Sequence, residues 1–139
     1  MTALGTRLLT LEVDGTDFTA QVSNVRIVSG ESDADFVTFA DAASGGAREY
    51  RLAFTAVQDP ATGTLWDEVW SNAGDTVPFT IAPAGGATAS PTTPHFEGSA
   101  VISEPDGDIL GGEANASTTA RFTFECEWVC TAKPTRVTV

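Results

Sequence analysis

Glu125 and Glu127 alternate with Phe122, Phe124, Cys126 and Trp128 in the stretch ARFTFECEWV, a pattern that predicts a strand burying its aromatic side, and Asp106 and Asp108 flank a glycine in EPDGDIL. Carboxyls in pairs are the raw material of acid and base catalysis, which needs one of them buried enough to stay protonated and the other facing it across a cleft. Same-face neighbours on one exposed strand do not give that geometry by themselves. The one histidine, His95, follows Pro94 at the start of an alternating run, and the chain holds no Gly-x-Ser-x-Gly elbow, P-loop or His-Glu-x-x-His. His95 reads as a surface or strand-edge residue, no residue is assigned a catalytic role, and the expectation is a protein that is not an enzyme. Asp33 with Asp35 and Asp106 with Asp108 offer hard oxygen ligands, but neither pair continues into a calcium loop with its closing glutamate. Two cysteines and one distant histidine do not make a zinc site. No metal and no cofactor are expected.

The two cysteines, Cys126 and Cys130, stand four apart. On one extended strand their Cα atoms lie about 13 Å apart at ~3.3 Å per residue, beyond the ~7 Å that a disulfide tolerates. They read as reduced residues of the core or a strand edge.

These residues sit in a chain of 139 residues, enough for one domain that buries its own core. Thirteen glycines and seven prolines among many Thr, Ala and Ser describe strands and turns. The formal net charge of −12 argues against attraction to a nucleic-acid backbone, which needs cations to displace counterions. No apolar run reaches the ~20 residues that span a bilayer. Met1, Thr2, Ala3 and Leu4 lack the basic start of a secretion signal, so folding in cytoplasm and no membrane anchoring are expected.

Leu9, Leu11 and Val13 share a strand face that runs into Asp14 and Gly15, a strong hairpin signal. In the next run Phe18, Ala20 and Val22 alternate, then Val25 and Ile27 take the opposite parity, which predicts a bulge near Ser23 and Asn24. A long loop follows at about 29–48. It carries Glu31, Asp33, Asp35 and Asp41 beside the apolar Phe36, Val37 and Phe39, a group that a merely solvated loop has no use for. Tyr50, Leu52, Phe54 and Ala56 alternate over Glu49 to Asp59. Leu65, Trp66, Val69 and Trp70 then recur at helical spacing, with Thr64 and Asp67 as a capping pair and Gly74 as the stop. One short helix at about 64–73 is expected, its tryptophans packed on a sheet. Val77, Phe79 and Ile81 form a further strand, as do His95 to Glu104 and the closing acidic stretch. The fold class is mostly β: a two-sheet sandwich or partly closed barrel with one flanking helix.

The order of these elements resembles the tail tube protein, or major tail protein, of long-tailed bacteriophages. The likeness rests on the hairpin, the long acidic loop with a Gly-rich end, the helix LWDEVWSNAG, the strand TVPFTIAP, the strand HFEGSAVIS and the last strand ARFTFECEW. It covers nearly the whole chain as a single tail-tube-like domain, 1–139, with no additional C-terminal domain. The resemblance implies a virion protein assembled in the host cytoplasm, six copies forming a ring and the rings stacking into a hollow tube. Its implied partners are itself, the tape-measure protein and the terminator and tip proteins, with double-stranded DNA passing through unbound. It further implies that the long loop, through Phe36, Val37, Thr38 and Phe39, reaches a neighbouring subunit or ring, and that Glu12, Glu97, Glu125 and Glu127 line an acidic bore. Alternatives are a carbohydrate- or receptor-binding β-sandwich, another ring component such as a tail terminator, or a hydrolase built on a carboxylate pair.

Overall fold

The computed structural model describes residues 3–31, 36–44, 48–86 and 88–139. Asp14 and Gly15 both take positive φ, 52° and 80°. That is the backbone a two-residue hairpin turn requires, and it joins β1 (Thr10–Val13) to β2 (Thr16–Asp17). The expected strand through Phe18 and Ala20 does not form. Asp17 accepts the Thr19 N–H at 2.8 Å, Thr19 in turn accepts the Leu11 N–H at 3.1 Å, and a 3-10 turn runs over Thr19–Gln21. Short polar side chains here outbid the ladder for backbone donors. Phe18 is driven into the core and the chain leaves for the second sheet.

There β3 (Val22–Glu31) pairs antiparallel with β4 (Arg48–Val57), and the register shifts between Ser23 and Arg26, where Asn24 has a φ of 54°. The bulge keeps Val22, Val25 and Ile27 packed on the core despite their change of parity. The loop expected at about 29–48 is shorter than that. Ser29, Gly30 and Glu31 pair with Tyr50, Glu49 and Arg48, and Arg48 donates to the Ser29 hydroxyl at 2.9 Å. Beyond the strands, α1 (Phe39–Ala43) is opened by a capping box in which Thr38 and Asp41 each accept the other's backbone N–H. Asp33 and Asp35 lie outside the described residues.

The helix α2 (Leu65–Ser71) starts at Thr64, whose hydroxyl accepts the Asp67 N–H. The Asp67 carboxylate accepts from Gly63 instead of closing the reciprocal box. Gln21 caps the helix from outside by accepting the Leu65 N–H at 3.0 Å, and Trp66 donates its indole N–H to the Ile109 carbonyl. After Gly74, at a φ of 98°, the N–H of Gly74 bonds to the Ile102 carbonyl at 2.7 Å and the N–H of Ile102 bonds to the Asp75 carbonyl at 2.8 Å.

The strands β5 (Thr76–Ala82), β6 (His95–Val101) and β8 (Thr135–Val137) complete a five-stranded sheet of order β2-β1-β5-β6-β8, and β7 (Thr123–Val129) completes the three-stranded sheet β3-β4-β7. The architecture is the expected two-sheet sandwich, and the described strands do not close into a barrel. Leu11, Val13, Phe79 and Ile81 from one sheet meet Leu52, Phe54, Phe124 and Trp128 from the other. The sheets are tied at one corner, where Cys130 donates to the Tyr50 carbonyl at 2.8 Å and Thr131 to the Ser99 carbonyl at 3.0 Å. Among the described residues no helix is long and apolar enough to cross a membrane.

Candidate functional site

Alternation along each strand turns one face to the core and the other outward. On β1 and β6 the outward residues include Glu12 and Glu97, both opposite Thr80 of β5. Asp17 pairs with Glu12 and Thr135 with Glu97, so one row crosses the whole sheet as Asp17, Glu12, Thr80, Glu97 and Thr135. It holds three carboxyls and no cation. Asp17 is held below the usual carboxylate range by the Thr19 hydroxyl and then by the Thr19 N–H, against a small opposing effect of burial.

Glu125 and Glu127 face out from β7, on the other sheet. The four acids expected to share one surface therefore divide between opposite faces of the sandwich, because their strands belong to different sheets. The second pair also lies in a different electrostatic setting. Glu127 is 3.5 Å from Arg51, which reaches Glu49 at 3.0 Å, and Ala53 stands in register between Arg26 and Glu127. Alternation alone could locate Asp17, one hairpin turn away from Glu12. Arg26 and Arg51 needed the pairing of β3, β4 and β7 to be known.

The free edge of β7 borders a groove of about 610 Å³ that brings Glu125 and Glu127 together with Asp106, Asp108, Arg26 and Arg51. The two carboxylate pairs singled out by spacing thus share one open, mixed-charge cleft. Ser103 shapes it, donating its hydroxyl to the Glu127 carbonyl at 3.0 Å and accepting the Trp128 indole N–H at 3.2 Å through its own carbonyl. Among the described residues no group of three His, Cys, Asp or Glu side chains converges to hold a metal ion. His95 sits at the start of β6 opposite Val137, half-buried, with its Nε2 lacking a hydrogen-bond partner. Cys126 and Cys130 are free and buried, and burial pushes the Cys126 thiol up to about 12.

The loop group behaves differently from the helix group. Phe36, Val37 and Phe39 are 77%, 57% and 97% exposed, with Glu31 and Asp41 beside them in sequence. Leu65, Trp66 and Val69 are buried as expected, but Trp70 is 53% exposed and stacks on Trp66 at 5.1 Å. A helix of seven residues gives one narrow inward stripe, and Trp66 with Leu65 and Val69 fills it. No protein-family model matches this chain, and no curated protein matches it in sequence.

Proposed function

We propose that this protein is the structural subunit of a hollow tube of the phage-tail kind, in which copies join into rings, sixfold in the family it resembles, and the rings stack around an acidic bore that double-stranded DNA traverses without binding. The observation that carries the reading is the cation-free row of Asp17, Glu12, Thr80, Glu97 and Thr135 across the outer face of the five-stranded sheet. Repeated around a ring, it makes a wall that offers phosphates nothing to pair with. At a screening length of ~8 Å such a wall repels only phosphates that come close, so it lubricates passage and does not drive it. The face with Glu125 and Glu127 is the weaker lining, because Arg26 and Arg51 neutralise part of it.

Open sheet edges support the same reading. The strands β3 and β7 flank a sheet of only three, and unpaired edges in a small sandwich invite further strands. In a ring each edge would meet a neighbour, and the tape-measure, terminator and tip proteins would be the further contacts of the assembled tail. Negative-stain electron microscopy of the concentrated protein tests this: long tubes are expected, single rings would point to a terminator-like component, and a solitary particle at millimolar concentration would overturn the proposal. The half-exposed indole of Trp70 favours a second reading, a binding module, which predicts a change in tryptophan fluorescence on titration with oligosaccharides.

A further inference from the structure

One end of the sandwich, between the sheets, opens into a groove of about 340 Å³ whose walls are Leu9, Ile27, Tyr50, Ile81 and Phe96, with Lys133 among the residues at its mouth. It is apolar, and among the described residues no side chain fills it. Lys133 stands 6.0 Å from the centre of the Tyr50 ring, so its ammonium lies over the aromatic wall. The same molecule carries an unfilled need of the opposite kind. Phe36 and Phe39 stand in solvent, and the capping box of Thr38 and Asp41 fixes the turn that presents them. Aromatic side chains each bury about 150–250 Å² when they dock, which makes a pair of them a strong reason for association.

We infer that this groove is the seat for Phe36 and Phe39 of a second copy of the chain, with Lys133 at its mouth facing the acidic Asp41 and Glu31 that flank the docking residues. Charge complementarity selects the occupant: the segment is anionic and apolar, and the groove is apolar with the Lys133 ammonium over its aromatic wall. A contact of this type is head-to-tail, since the docking group and the groove are different surfaces of each subunit, so it propagates along a series of copies. The inference rests on the tube reading and adds to it the surface that receives the loop.

The test uses the full chain at the concentration where the wild type begins to associate, followed by light scattering and sedimentation. Phe36→Ser with Phe39→Ser removes the docking group, and Leu9→Glu spoils the groove. Lys133→Glu, an exposed change, supplies a groove variant with an intact core, and circular dichroism checks the fold of each. Either class alone is expected to lose at least about tenfold in association, as when central aromatic anchors are truncated. An equal mixture of a loop variant and a groove variant is expected to form dimers and nothing larger, because each pair has one working loop and one working groove. Wild-type association by the loop variant, or no dimer in the mixture of either pairing, overturns the inference while tubes of wild-type protein keep the tube reading. A wild type that never associates overturns both.

Discussion

Phe54 and Trp128 meet edge to face at the centre of the sandwich, their ring centroids 4.9 Å apart and their planes at 88°. The pair is formed across neighbouring strands, and Phe124 approaches Phe54 from the same strand as Trp128, at 6.3 Å and 81°. Replacing Trp128 by Ala should destabilise the protein by about 3–5 kcal/mol, as expected for a large aromatic lost from a packed core. Trp128→Phe should cost less but not nothing, because the Ser103 carbonyl then loses its indole donor. Urea denaturation of both variants checks the order.

The two helix tryptophans should separate sharply. Trp66→Ala is expected to cost about 3–5 kcal/mol by the same cavity argument. Trp70→Ala should change stability by under about 1 kcal/mol, as surface substitutions do. Quenching of fluorescence by neutral acrylamide should find one accessible tryptophan in the wild type and none in Trp70→Phe. Iodide is a poor probe here, since Asp67 and Glu68 on the same helix repel it.

Cys126 predicts a loss of stability in alkali. Its folded pKa is raised from 9.0 to about 12 by burial, and the Trp128 contact opposes this only in part. The folded state therefore favours the protonated thiol. The stabilisation is whole below pH 9 and declines as pH climbs from there towards 12. Urea midpoints measured between pH 8 and pH 11 should fall more steeply for the wild type than for Cys126→Ala, and a thiol reagent at pH 8 should react with Cys126 only after denaturant is added.

The two acidic faces can be told apart in assembled tubes. Glu12→Gln with Glu97→Gln should leave assembly intact and make the bore retain DNA at low salt. Glu125→Gln with Glu127→Gln should have the smaller effect on DNA, because Glu127 is already engaged by Arg51. Filter retention of labelled duplex by purified tubes measures it, and the reverse order would assign the bore to the three-stranded sheet.

Local chemistry was legible in the amino-acid order. Phe124, Cys126 and Trp128 went inward as their alternation requires, while Phe122, expected on the same face, precedes the strand and is 47% exposed; the slip at Ser23 and Asn24 is a bulge, and Asp14 with Gly15 makes the hairpin turn. What pairing decides was not legible. Ser29 and Gly30 have little preference for strands and became strand because Arg48, Glu49 and Tyr50 lie opposite them. The side to which Glu12 and Glu125 point follows from which sheet each strand joins, a long-range outcome that no spacing within either strand encodes. The docking groove is likewise invisible in sequence, since Leu9, Ile27, Tyr50, Ile81 and Phe96 come from five separate strands or their approaches.

The reciprocal bonds of Ile102 with Gly74 and Asp75 couple the end of α2 to the chain leaving β6. Because Ile102 is itself sunk in the core, the helix cannot fray from its C-terminal side without lifting that residue out. The buried amides at the C-terminal end of α2 are therefore expected to exchange with protection close to that of the core strands, which native-state hydrogen exchange measures. A subunit latched in this way can yield at its loops while its body stays rigid.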